Sequence, residues 1–111
     1  MSKPVVHWEM ITKNPAQARE FYSKLFGWDV DATRAAFQHV ETGGISGAII
    51  LTEDGVPHVR LVVQVPNLQE ALDSAESLGG KTVTPIVDIP GGPSFAVSSD
   101  PDCNFIALVK A

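Results

Sequence analysis

An offset of 53 residues lays the first half of this 111-residue chain over the second. "PVVHWEMITKNPAQAREFYSKLFGWDV" then runs beside "PHVRLVVQVPNLQEALDSAESLGGKTV". Pro4 meets Pro57, Val6 meets Val59, Asn14 meets Asn67, Ala18 meets Ala71, Leu25 meets Leu78, Gly27 meets Gly80 and Val30 meets Val83. Seven identities in 27 positions would be thin alone, but the physical signals repeat with the letters. A chain of this kind must build one small unit twice.

Each half opens with a strand. In "VVHWEMI", Val6, Trp8 and Met10 alternate with His7 and Glu9. In "HVRLVVQV", Val59, Leu61, Val63 and Val65 make an apolar face, with His58, Arg60 and Gln64 opposite. Period-two alternation is the mark of a strand with one face on a core. A helix follows each. Asn14 is positioned as an N-cap with Pro15 at the first helical residue, where the missing N–H costs nothing. Asn67 repeats the cap, with Glu70 three residues on. Ala18, Phe21, Tyr22 and Leu25 form one apolar stripe; Leu68, Ala71, Leu72, Ala75 and Leu78 form the other. Gly27 and Gly79–Gly80 end the helices, because glycine takes the left-handed position without strain. Short strands follow: "WDVDA", "FQHVE" and "SGAIILT", then "KTVTPIV", "SFAVSS" and "NFIALVK". The expected fold is α+β, two βαβββ units at about 3–53 and 56–111 within a single domain spanning 1–111, with mixed curved sheets that form a concave cleft.

Composition limits what such a fold does. A net charge of −5 offers no basic stripe for phosphates, so no nucleic-acid partner is expected. No apolar run reaches membrane length and the start has no signal-peptide core, so no membrane partner is expected either. The single cysteine, Cys103, excludes an internal disulfide framework and points to a reducing, cytoplasmic setting. Its turn favours positive φ, and no adjacent base lowers its pKa, so it is read as local strain rather than a nucleophile. "GGISG" and "PGGP" lack the strand–loop–helix order of a phosphate loop, and no "GxSxG" elbow occurs.

"NPAQAREFYSKLFGW" and "LGGKTVTPIVDIPGGPSFAVSSDPDCNFIAL", together with the doubled unit, resemble the vicinal oxygen chelate superfamily. That superfamily holds glyoxalase I (lactoylglutathione lyase), bleomycin-resistance proteins, fosfomycin-resistance enzymes and extradiol dioxygenases. The resemblance implies a divalent metal held by the first and last strands of each unit. His7, fourteen residues before Phe21, matches the first ligand position. The offset puts Arg60 at its counterpart, the last-strand Glu matches Ala107, and aligning "GAIIL" with "NFIAL" puts the remaining position at Ile50. One of four positions carries a donor, whereas a catalytic metal usually keeps three protein ligands.

No cofactor is therefore expected, with a divalent metal as the alternative. The expectation is a small-molecule-binding protein, leaning away from an enzyme, that holds an organic ligand in the cleft. His7, Glu9, Ile50, His58, Arg60, Gln64, Phe105 and Ala107 are its candidate lining. Arg60 either binds a carboxylate or phosphate, or pairs with Glu9 across the old metal site. Bleomycin-resistance proteins, which sequester a cationic ligand in dimer clefts, suggest a homodimer. One alternative is a lyase, isomerase or dioxygenase-type enzyme with a rearranged metal site such as His7–Glu9–His58. Another is an interaction protein whose cavity is filled.

Overall fold

The computed structural model describes residues 2–111. The fold is α+β and repeats βαβββ twice. The first run is β1 (Val5–Thr12), α1 (Pro15–Phe26), β2 (Asp29–Val30), β3 (Phe37–Glu41) and β4 (Gly47–Leu51). The second is β5 (His58–Val65), α2 (Leu68–Ser77), β6 (Lys81–Asp88), β7 (Ser94–Ser99) and β8 (Phe105–Lys110). By contacts the chain divides into two compact units, one of residues 7–59 and one of residues 60–111 with the segment up to Val6.

In the first half the strand order is β2-β3-β4-β1, with β1 parallel to β4 and the other pairings antiparallel. The second half repeats it as β5-β8-β7-β6, with β5 parallel to β8. The parallel pair needs a long crossover, and each helix with its following strands supplies it. Both helices start as read. Asn14 Oδ1 accepts from the Gln17 N–H at 3.1 Å, and Asn67 Oδ1 from the Glu70 N–H at 2.9 Å. Gly27 ends α1 with φ 71°, its N–H donating to the Ser23 carbonyl. β6 shows two register shifts against β7, around Thr84, which the local sequence "KTVTPIV" reflects only in its proline.

The second half has the better core. Leu68 and Leu72 of α2 close on Val65, Ala96 and Leu108, with Val63, Ala71 and Ile106 alongside. In the first half Val40 and Ile49 are fully buried. There the gap between α1 and the sheet is filled by aromatic rings: Trp28 lies 5.2 Å from Trp8, 5.5 Å from Tyr22 and 5.0 Å from Phe26, centroid to centroid. Trp8 lies flat against Gly47, where a Cβ would come within 2.1 Å of its ring. Its indole N–H donates to the Ile45 carbonyl at 2.9 Å. The apolar stripe expected on α1 is split. Ala18 and Tyr22 are half-buried, but Phe21 and Leu25 are each 57% exposed. Periodicity marks these residues as one stripe without telling how wide a stripe the sheet covers.

Candidate functional site

The strand registers decide which residues share the face that carries no helix. In the first half Glu9 and His39 both stand opposite Ala48, and Ile11 and Phe37 both opposite Ile50. His7, Glu9, Ile11, His39, Glu41, Ala48 and Ile50 thus lie on one face, because neighbours across a ladder point the same way. On this face His39 Nε2 and Glu41 Oε1 are 2.6 Å apart, a charge-assisted contact that fixes which ring nitrogen carries the proton. The His7 ring stacks on His39 with centroids 6.0 Å apart, and Ser46 Oγ stands 3.5 Å from His7 Nδ1. Burial pulls the His7 pKa below its usual value; Glu9 and Glu41 work against that shift and His39 adds to it. His7 is thereby kept as a neutral imidazole, able both to donate and to accept.

The same face of the second half is different in kind. Val62 and Val97 flank Ala107, and Gln64 and Phe95 flank Val109. Val62, Val97 and Ala107 are buried, and Phe105 stands opposite Ser99 near the strand end. The paired ladders allow a position-by-position comparison of the two halves. Arg60 takes the place of His7, Val97 that of His39, Ser99 that of Glu41 and Phe105 that of Ser46.

One sequence-based assignment shifts by two residues. Val62 stands opposite Ala107, and its counterpart Glu9 stands opposite Ala48, so Ala48 rather than Ile50 is the structural equivalent of Ala107. The ungapped match of "GAIIL" to "NFIAL" misplaces it because it sets Gly47 beside Asn104, whereas the ladders set Gly47 beside Trp8 and its counterpart Ile106 beside Leu61. Neither residue carries a donor. His58 turns its Nδ1 to the Val56 carbonyl at 2.7 Å and lines a pocket of about 500 Å³ with Met10, Ala18 and Tyr22, beside α1. Among the described residues no group of three or more His, Cys, Asp or Glu side chains is arranged to hold a metal ion.

His39, Glu41 and Ser46 were not among the candidates from sequence. "HVE" within "FQHVE" did carry a signal, a His and a carboxylate two apart on one strand face. The four family positions lie on the first and last strands of the units and do not point to β3.

A family model described as a glyoxalase-like domain matches residues 6–109. The chain belongs to the glyoxalase-like family. Its place in the vicinal oxygen chelate superfamily accords with solved structures of the same fold. A glyoxalase/bleomycin resistance protein/dioxygenase superfamily member from Vibrio splendidus 12B01 superposes with a TM-score of 0.70 at 15% identity, over 99% of this chain and 100% of its own. Methylmalonyl-CoA epimerase from Mycobacterium tuberculosis gives 0.68 at 16% identity, over 99% and 91%. A hypothetical protein from Bacillus halodurans C-125 gives 0.72 at 10% identity, over 100% and 96%. Identities this low speak for the fold of this glyoxalase-like chain and leave its chemistry to its own residues. No curated protein matches it in sequence. None of its described helices is long and apolar enough to cross a membrane.

Proposed function

We propose that this glyoxalase-like protein binds a small organic molecule, without a metal ion, in the concave cleft expected of its fold. The helix-free face around His7, His39 and Glu41 carries the recognition. The observation behind this reading is the contrast between the halves. The fold accepts Val97 and Ser99 where the first half has His39 and Glu41, so folding alone does not require that polar pair. An imidazole held by a carboxylate, beside a second and neutral imidazole, suits a ligand with several hydrogen-bonding groups. In the second half Arg60 offers, separately, a planar fork of donors for a carboxylate or phosphate group. A thermal-shift screen of small carboxylic acids and aromatic metabolites tests the proposal. The expected hit is a compound whose stabilisation is lost in both His39→Ala and Glu41→Gln. A hit indifferent to both substitutions would place binding elsewhere and defeat the reading.

The residues at the family's metal positions do not fit the ion: Ala48 or Ile50, Arg60 and Ala107 offer it no ligand, and a guanidinium repels it. Elemental analysis with nickel, zinc, manganese and iron(II) titration checks this. Stoichiometric binding abolished by His7→Ala would favour the enzymatic alternative instead. A homodimer belongs to the same proposal, supported by the exposed apolar side chains Phe21, Leu25 and Val59 in the first half. So does a cytoplasmic setting, supported by the exposed thiol of Cys103.

A further inference from the structure

A second pocket, of about 520 Å³, lies in the second half on the opposite, helix-bearing face of the sheet. It exists because α2 leans one way. Leu68 and Leu72 bury themselves towards Ala96 and Leu108, and the outer flank of the helix, with Ala71, Ala75 and Leu78, leaves a gap above Val63 and Ile106. Leu78 is 78% exposed at one end. The volume lies within the range of small-molecule sites, roughly 300–1,000 Å³.

Its rim is charged, and unevenly. Among the described lining residues Glu70 and Asp100 bring carboxylates, against one ammonium from Lys3. Asp100 is locked in the β7–β8 turn. It accepts from the side chain and backbone N–H of Asn104 and from the Asp102 N–H, each at 2.9 Å. Those bonds, the Asn104 side chain foremost, hold its carboxyl below the usual range, so it stays ionised.

The repeat again serves as an internal control. The corresponding groove beside α1 is lined by Met10, Thr12, Asn14, Gln17, Phe21 and Tyr22. Gln17 stands where Glu70 stands, and the aromatic pair Phe21–Tyr22 where Ser74 and Ala75 stand. The same scaffold thus carries a ring-lined groove without a carboxylate in one half and an acidic one with small side chains in the other. Folding does not dictate the difference.

From the apolar floor and the net acidic rim we infer that this groove is a second ligand site, for a small amphipathic amine. The apolar body lies over Val63, Ile106 and Leu78, and the protonated amine faces Glu70 and Asp100. The site is independent of the proposed cleft and uses none of its residues.

Three probes of equal length test it: n-hexylamine, 1-hexanol and hexanoate, by titration calorimetry and by two-dimensional NMR of labelled protein. The expected result is saturable binding of n-hexylamine, strongest of the three, with shifted resonances at Ala75, Leu78 and Ile106. Glu70→Gln should weaken the amine about two- to fivefold, the scale of one exposed charge pair. Ala75→Tyr, which copies the first half, should abolish binding of the amine; an unchanged apo melting temperature shows that the fold is intact. Ser74→Phe supplies an independent block should Ala75→Tyr fold poorly. Hexanoate binding as well as hexylamine, or amine binding that survives both blocking variants, overturns the assignment. A groove occupied by a second copy of the chain also overturns it, read as Ala75→Tyr turning a dimer into monomer in light scattering. His39→Ala and Glu41→Gln should leave amine binding unchanged, which separates failure of this site from failure of the cleft.

Discussion

Cys103 holds φ at 67°, the one described non-glycine residue on that side of the map. Its N–H closes the turn onto the Asp100 carbonyl at 2.9 Å. A side chain in the left-handed region costs roughly 1–2 kcal/mol, part of which glycine recovers at the expense of unfolded-state entropy. Cys103→Gly should therefore raise stability by about 0.5–1 kcal/mol, read as a higher urea midpoint at unchanged m-value. His7 makes a second prediction at this scale. Its folded pKa lies below its unfolded value near 6.5, so the unfolded chain binds the proton more readily. Its contribution is present above about pH 6.5 and fades as pH falls through the lower folded pKa. Melting curves from pH 7.5 to 5 should show the wild type losing more stability than His7→Gln; equal slopes would contradict the assigned shift.

Among elements, a tight strand contact and a helix cap each give a prediction. Gly47→Ala would drive a methyl into the Trp8 ring, and with no flexible chain end to give way it should cost about 1–3 kcal/mol and shift tryptophan emission. Asn67→Ala removes the acceptor for the Glu70 N–H and should cost about 1 kcal/mol in denaturant unfolding. Both helix starts were legible because capping is local chemistry, written in a few adjacent residues. "FQHVE" and "SFAVSS" were legible as strands at the boundaries the structure has. "KTVTPIV" stops one residue short of β6 and "WDVDA" overruns the two-residue β2, since hydrogen bonds to a neighbour decide where a strand ends. The candidate site was legible in its strands and incomplete in its residues. His7 and Glu9 could be placed on a face by alternation. Their nearness to His39 and Glu41 depends on β4 lying between β1 and β3, a matter of pairing that alternation cannot supply.

At the scale of the whole molecule, the chain is a duplication whose copies have diverged in side chains while keeping their ladders. The first half packs its helix with aromatic rings and carries His7, His39 and Glu41. The second packs with aliphatic residues and carries Arg60 amid valines and an alanine. The outer stripe of α1 gives a prediction at this level. The double variant Phe21→Ser, Leu25→Ser removes two large, mostly exposed apolar side chains and gives up the edge contact of Phe21 with the Tyr22 ring at 5.0 Å. It should convert the proposed homodimer to monomer in light scattering at little cost in melting temperature; a wild type already monomeric would refute the dimer.

The Gln64 N–H donates to the Pro4 carbonyl at 2.9 Å, and the segment up to Val6 groups with residues 60–111. The seam visible in the letters, near residue 55, is therefore not the seam in space. A gene fragment cut there would strand the second copy without the few residues that complete its first strand's hydrogen bonding. Anyone wishing to express that copy alone should graft the sequence around Pro4 back onto it, or begin from a circular permutant that restores the link.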